Sequence, residues 1–281
     1  MIQLCTLVLN EIEWLDSLYK QHRDWPELAS WVFVESADRV YAETNPEMVT
    51  GAGLSVDGTS EYLQSIANQD SRVTYIPYGF SGHVNPDQGK CESRNQYLNI
   101  AEQVKPEFLF ILDADEFYTY DDQYDIIVTM RGLPRSTGFT FRHRHPWCPP
   151  SMAGQSPFTF EVTGGFWDIP HTRGWRWEPG LRYNKNHNTP ENFNGVGLDK
   201  NIATLYQSKN TPECIHMAFA SSLKTRHAKH KYYAARGEGK TDHRGWYVES
   251  RTAFETWEIG DILPRGAQVV KYSGEIPECF Q

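Results

Sequence analysis

The sequence predicts an α/β protein built on a Rossmann-like mixed sheet whose central strands are parallel and flanked by helices. Two observations carry this. Short apolar runs alternate with stretches of helical periodicity through the first half of the chain. The last of those runs ends abruptly in three carboxylates, Asp113, Asp115 and Glu116. A continuous apolar run between helices is the pattern of a strand buried on both faces of a parallel sheet.

The elements follow in order. Residues 2 to 9 are nearly all apolar and predict the first strand. A helix is expected at once, with Asn10 as N-cap, Glu13 at the capping-box position, and Ile12, Leu15, Leu18 and Tyr19 at helical spacing. Pro26 limits it. The alternation then gives a strand at Trp31 to Glu35, a helix near Ser60 to Asn68, a strand at Arg72 to Ile76, and a helix near Glu92 to Val104. A strand at Phe108 to Leu112 and a helix at Asp122 to Arg131 complete the series. Right-handed crossovers make such a series a parallel sheet, with ligands beyond the carboxyl ends of its strands, here near Asn10, Glu35, Tyr78 and Asp113. Between Pro146 and Pro212 regularity declines, and only pieces such as Phe158 to Val162 read as strand. A last strand, Glu213 to Phe219, leads into a helix from about Ser222 to Arg236.

At 281 residues the chain is expected to form one domain. With 39% hydrophobic and 14% aromatic residues it carries enough large side chain for a folded core. A net charge of -9 argues against a surface built to coat nucleic acid, so an anionic ligand needs local devices to hold it. The five cysteines are scattered, with no Cys-x-x-Cys pair, as expected of reduced thiols in a cytoplasmic protein. The N-terminus runs into Asn10, Glu11 and Glu13, unlike a secretory leader, and no apolar stretch is long enough to span a bilayer.

Asp113 and Asp115 carry the strongest chemical signal. Two apart on an extended segment, they face the same side. Their repulsion is relieved by a hard divalent cation, Mg²⁺ or Mn²⁺, which favours carboxylate oxygens together with phosphate and water. The plainer alternative is a solvated acidic loop that caps the next helix.

Through Leu9-Asn-Glu-Ile-Glu-Trp-Leu15, Val34-Glu-Ser-Ala-Asp38, Lys90-Cys-Glu-Ser-Arg-Asn95 and Ile111-Leu-Asp-Ala-Asp-Glu-Phe117, the chain resembles the GT-A glycosyltransferases, in particular the family 2-like enzymes with an Asp-x-Asp motif. The resemblance covers roughly residues 2 to 130. It implies a transferase that moves a sugar from a nucleotide-diphosphate sugar to an acceptor hydroxyl, with inversion. Residues 1–132 would bind the donor and residues 133–281 the acceptor. It implies that the Leu9 backbone and Glu35 meet the nucleoside, that Arg94 with Lys90 lies near the nucleotide, and that Asp113, Ala114 and Asp115 meet the diphosphate and cation. His216 would be a further metal ligand, and Lys224 would reach the leaving diphosphate. For the general base, Glu178 is favoured beside Trp175 and Trp177, with Asp168 and Glu191 as alternatives. The relatives' His-Glu pair is replaced here by His187-Asn188.

Three rival readings follow from other features. His143 and His145, with His171 or His187, have the spacing of a transition-metal site. The aromatic content suits a non-catalytic carbohydrate-binding module, whereas in the transferase reading Trp147, Trp167, Trp175 and Trp177 would line an acceptor groove. The basic run from Ser221 to Arg251 admits a phosphorylated acceptor, or DNA bearing hydroxymethylated bases. The acceptor itself, a glycan or small molecule by preference, is not specified by any motif.

Overall fold

The structure is a computed structural model that describes residues 1–83, 85–147, 156–163, 171–205, 211–217, 220–236 and 268–281. The chain folds as a mixed α/β protein. Its described strands are β1 (Ile2–Val8), β2 (Leu28–Ala37), β3 (Val73–Phe80), β4 (Phe108–Ile111), β5 (Glu116–Phe117), β6 (Gly138–Trp147), β7 (Phe160–Thr163), β8 (His171–Arg176), β9 (Ile202–Thr204), β10 (Glu213–His216) and β11 (Gln268–Lys271). The helices are α1 (Ile12–His22), α2 (Arg39–Thr44), α3 (Thr59–Gln69), α4 (Pro86–Val104), α5 (Tyr120–Gly132) and α6 (Leu223–Ala235).

The strands run in the order β11-β7-β6-β8-β4-β1-β2-β3, with β10 bridging β5 and β6. The β3-β2-β1-β4 portion is parallel, as the alternating sequence pattern requires. β8 then pairs antiparallel with both β4 and β6.

Period-2 side-chain alternation divides the core. Ile2, Leu4, Trp31, Phe33, Phe108 and Phe110 point into the larger apolar cluster, where Leu15 and Leu18 of α1 and Leu63 and Ile66 of α3 meet them. Their sequence neighbours Cys5, Val32, Val34, Leu109 and Ile111 point to the opposite layer, packed by Tyr97, Leu98 and Ala101 of α4. Every inward face of β1, β2 and β4 is therefore covered, which fixes the register and turns the carboxyl ends of these strands toward one edge.

Several boundaries differ from the sequence expectation, each for a local reason. α4 starts at Pro86, ahead of Glu92, because Asn85 caps it by accepting from the Asp87 and Gln88 N–H groups at 2.9 and 3.2 Å, and proline is tolerated in the first turn. β3 runs on through Pro77 because it is an edge strand with no ladder on its outer side. Asn10 does not cap α1. It takes a left-handed φ of 55° and donates to the Met48 carbonyl at 2.6 Å, while the helix start is satisfied by Thr59 and Asp57, which accept from the N–H groups of Glu11 and Ile12. The strand expected to be last, β10, ends at His216 and is followed by β11, which pairs with β7.

Candidate active site

A cleft of about 200 Å³ opens at the carboxyl edge of the parallel strands. Val8 and Leu9 from the end of β1, Ala37 and Asp38 from the end of β2, Lys90 of α4 and Lys229 of α6 are among the residues that line it. This is where a parallel sheet offers its crevice. Glu11 and Tyr232 complete the wall toward α6.

The carboxylate segment adjoins this cleft through Lys229, whose ammonium contacts Asp115. The Glu116 N–H donates to the Asp113 carbonyl at 3.0 Å, so the backbone turns tightly after β4. β5 then pairs antiparallel with β10, setting His216 opposite Glu116, and the Met217 N–H donates to the Asp115 carbonyl at 2.7 Å. These bonds bring His216 Nε2 to 3.5 Å from Asp115 Oδ1. On its other side Asp115 Oδ2 accepts from Lys229 Nζ at 3.2 Å, and the same ammonium lies 3.5 Å from Glu11 Oε1. Asp115 is 4% exposed, so it sits behind Lys229.

The electrostatics of this group are mutual. Burial pushes the Asp115 carboxyl up, but the charges of Lys229 and His216 outweigh that and hold it well below the usual carboxylate range. His216 is raised because Asp115 overcomes its burial. Lys229 is raised for the same reason, with Glu11 adding to the effect. Glu11 is pushed up to about 8, chiefly by burial, with Lys229 only partly offsetting it. Its Oε2 is buried without a hydrogen-bond partner.

Asp113 and Glu116 are held differently. The Arg173 guanidinium of β8 bonds Asp113 Oδ2 at 2.9 Å and also Glu116 Oε1. His143 Nε2 lies 3.3 Å from the same Glu116 oxygen. Glu116, His143 and Cys214 form the one group of acid, imidazole and thiol ligand atoms among the described residues that gather within 4.8 Å. A guanidinium already engages its carboxylate, and burial pushes the Cys214 thiol up, away from the thiolate that a metal needs. Both features work against a metal in this acid–imidazole–thiol group. Of the histidines that the sequence singles out, His143 lies with its ring centroid 6.2 Å from that of His145 and 4.7 Å from that of His171, and both His143 and His145 are buried.

The remaining sequence candidates separate clearly. Leu9 and Lys90 line the cleft. Lys90 makes no hydrogen bond or ion pair among the described residues, and burial followed by the charges of Arg236 and Arg94 lowers its proton affinity. Glu35 does not reach the cleft. Its carboxylate accepts from the Ser55 N–H at 2.6 Å, from Ser60 Oγ at 2.8 and 2.9 Å, and from the Tyr75 hydroxyl, which makes it an anchor for the loop before α3. Arg94 is buried, donates to the His187 carbonyl at 2.5 Å and stacks over Tyr183. Ala114 is buried in the core cluster. Lys224 is exposed on α6, about 140° around the helix from Lys229.

Glu178 is exposed and follows Arg176, which pairs with Phe108 at the start of β4, so it lies at the opposite end of that strand from Asp113. Trp175 beside it is fully buried against Gly138 and offers no stacking face, and Trp147 is equally buried. Asp168 and Trp167 lie outside the described residues. Glu191 is 8% exposed and accepts from Asn184 at 3.3 Å.

Sequence reasoning missed Glu11, Asp38 and Lys229. Glu11 and Asp38 do fall inside quoted motifs, but Lys229 carried no signal beyond being one of several basic residues on α6.

No protein-family model matches this chain, and no curated protein matches it. Among solved structures it is similar to S. aureus TarS. The structure of TarS residues 1–349 matches with 12% identity, 90% of this chain and 71% of that chain covered, and a TM-score of 0.38. The complex of the same fragment with UDP-GlcNAc matches at 15% identity over 90% and 72%, TM-score 0.38. A further TarS structure matches at 13% identity over 89% and 42%, TM-score 0.36.

Proposed function

We propose that the chain is a cation-dependent glycosyltransferase that binds a nucleotide-diphosphate sugar in the cleft at the carboxyl edge of β1 and β2. The observation that carries this reading is the convergence of Asp115 and His216, 3.5 Å apart, behind Lys229 of the cleft wall. Adjacent ligands of an octahedral Mg²⁺ or Mn²⁺ stand about 3 Å apart, so the pair fits such an ion with little adjustment. The unpartnered Glu11 Oε2 marks a further oxygen donor. When bound, the cation would neutralise charge on the departing diphosphate.

The chain's own groups supply the rest. Leu9, Asp38 and Lys90 line the cleft; Leu9 and Asp38 would flank an entering nucleoside, and Lys90, an ammonium without an anionic partner at hydrogen-bond distance among the described residues, would meet the diphosphate. Asp113 serves to hold Arg173 and the turn rather than the ion. The acceptor falls to residues 133–281, and the general base is sought there among residues other than Glu178. A thermal-shift screen of nucleoside diphosphates and their sugars, with and without Mn²⁺, tests the proposal. At a hundredfold excess over Kd a ligand adds about 2.7 kcal/mol to the native state. A rise in Tm is expected with Mn²⁺ plus one nucleotide, absent in Asp115→Ala and reduced in Lys90→Ala. No response to any nucleotide, or an undiminished response in Asp115→Ala, sinks the reading.

A further inference from the structure

Lys229 does not merely flank the carboxylates. Its ammonium lies between Asp115 and Glu11, 3.2 Å from one and 3.5 Å from the other, and it covers Asp115 from the cleft. The two acids come from the ends of different strands, Glu11 after β1 and Asp115 after β4, so their approach needs a positive charge between them. His216 Nε2 lies 3.5 Å from the other carboxylate oxygen of Asp115. Glu11 is 8% exposed, faces the cleft, and keeps one carboxylate oxygen without a partner. Such an oxygen costs free energy unless a ligand engages it.

We infer that Lys229 and a divalent cation compete for one seat between Asp115 and Glu11, and that Glu11 becomes a ligand of the cation when Lys229 leaves. This rests on the cation-dependent reading above and assigns to it two residues, Glu11 and Lys229, to which the resemblance gave no role. Lys229 is on α6, whose side chains also line the cleft, so the displaced ammonium swings toward the space the diphosphate would occupy. Without metal the ammonium thus offsets part of the acids' negative charge, and cation binding releases a positive group for the anionic ligand.

Mn²⁺ binding measured by electron paramagnetic resonance on the wild type, Glu11→Gln and Lys229→Met tests this, using Mn²⁺ alone as the probe. Glu11→Gln should weaken binding roughly tenfold, as loss of a ligand contact does. Lys229→Met should strengthen it roughly tenfold, since a competing unit charge is removed from the seat. Lysine acetylation of the wild type, read by mass spectrometry, gives a check that needs no variant: modification of Lys229 should rise when Mn²⁺ is added. If the wild type binds Mn²⁺ but both variants bind it equally well, or if Lys229 reactivity is indifferent to Mn²⁺, the exchange is wrong while the cation site stands. If the wild type shows no saturable Mn²⁺ binding, both this inference and the cation-dependent reading fall.

Discussion

Arg173→Met is the perturbation whose cost the structure defines most closely. Arg173 and Glu116 have side-chain exposures of 11% and 0%, and the same guanidinium also holds Asp113 at 2.9 Å. Removing it leaves a fully buried carboxylate whose nearest remaining side-chain donor is His143, at 3.3 Å. Breaking a buried ion pair from one side costs about 3–5 kcal/mol, because the surviving charge keeps its desolvation penalty. Since His143 continues to contact Glu116, the lower end, about 3 kcal/mol, is expected. Urea denaturation followed by circular dichroism at neutral pH measures it. The double variant Arg173→Met/Glu116→Gln should recover at least about half of the loss, because no unpaired buried charge remains. A loss below about 1 kcal/mol for the single variant, or no recovery in the double, would refute the view that Arg173 compensates this acid.

Two further expectations concern the scaffold. His22 accepts from the Tyr118 N–H at 3.2 Å through Nε2 and contacts the Leu18 carbonyl through Nδ1 at 3.0 Å, and burial pushes its proton affinity down to about 3. Its folded value lies below the unfolded one, so the unfolded chain binds the extra proton and stability is lost as pH falls from about 6.5 toward 3. Between pH 7 and 5 this single group should account for about 2 kcal/mol, visible as a shallower pH dependence of unfolding in His22→Gln; an identical slope in that variant would exclude it. Gly79 has φ of 73°, and a Cβ there would meet the Ala52 carbonyl oxygen at 2.3 Å. Gly79→Ala should cost about 2–4 kcal/mol in chemical denaturation, since strain and a backbone clash combine, and a cost under about 1 kcal/mol would show that the Ala52 loop yields freely.

The parallel half of the fold was legible because burial on both sheet faces writes long apolar runs into β1, β2 and β4. The position of the carboxylates followed from that, since a strand's end is fixed once the strand is. Roles that depend on which way one side chain turns were not legible. Glu35 ends β2 as the resemblance expects, yet Ser55, Ser60 and Tyr75 arrive from elsewhere in the chain to engage its carboxylate, and only Asp38 is left facing the cleft. Glu178 sits in a suggestive aromatic sequence, but the antiparallel pairing of β8 with β4 carries it to the wrong end of the sheet. Lys229 could not be singled out because its meaning comes from a contact between α6 and the ends of β1 and β4. Irregular sequence after Pro146 left β8 unrecognised, since its pairing with β4 and β6 is a long-range event with little local signal.

The most direct test is a crystal structure of the protein with Mn²⁺ and a nucleoside diphosphate, with the ion located by anomalous scattering. The account predicts a peak about 2 Å from an Asp115 oxygen and from His216 Nε2, with phosphate oxygens completing the shell. A peak between Glu116, His143 and Cys214, or a nucleotide bound in the cleft with Lys229 still seated on Asp115 and no ion beside it, would contradict it.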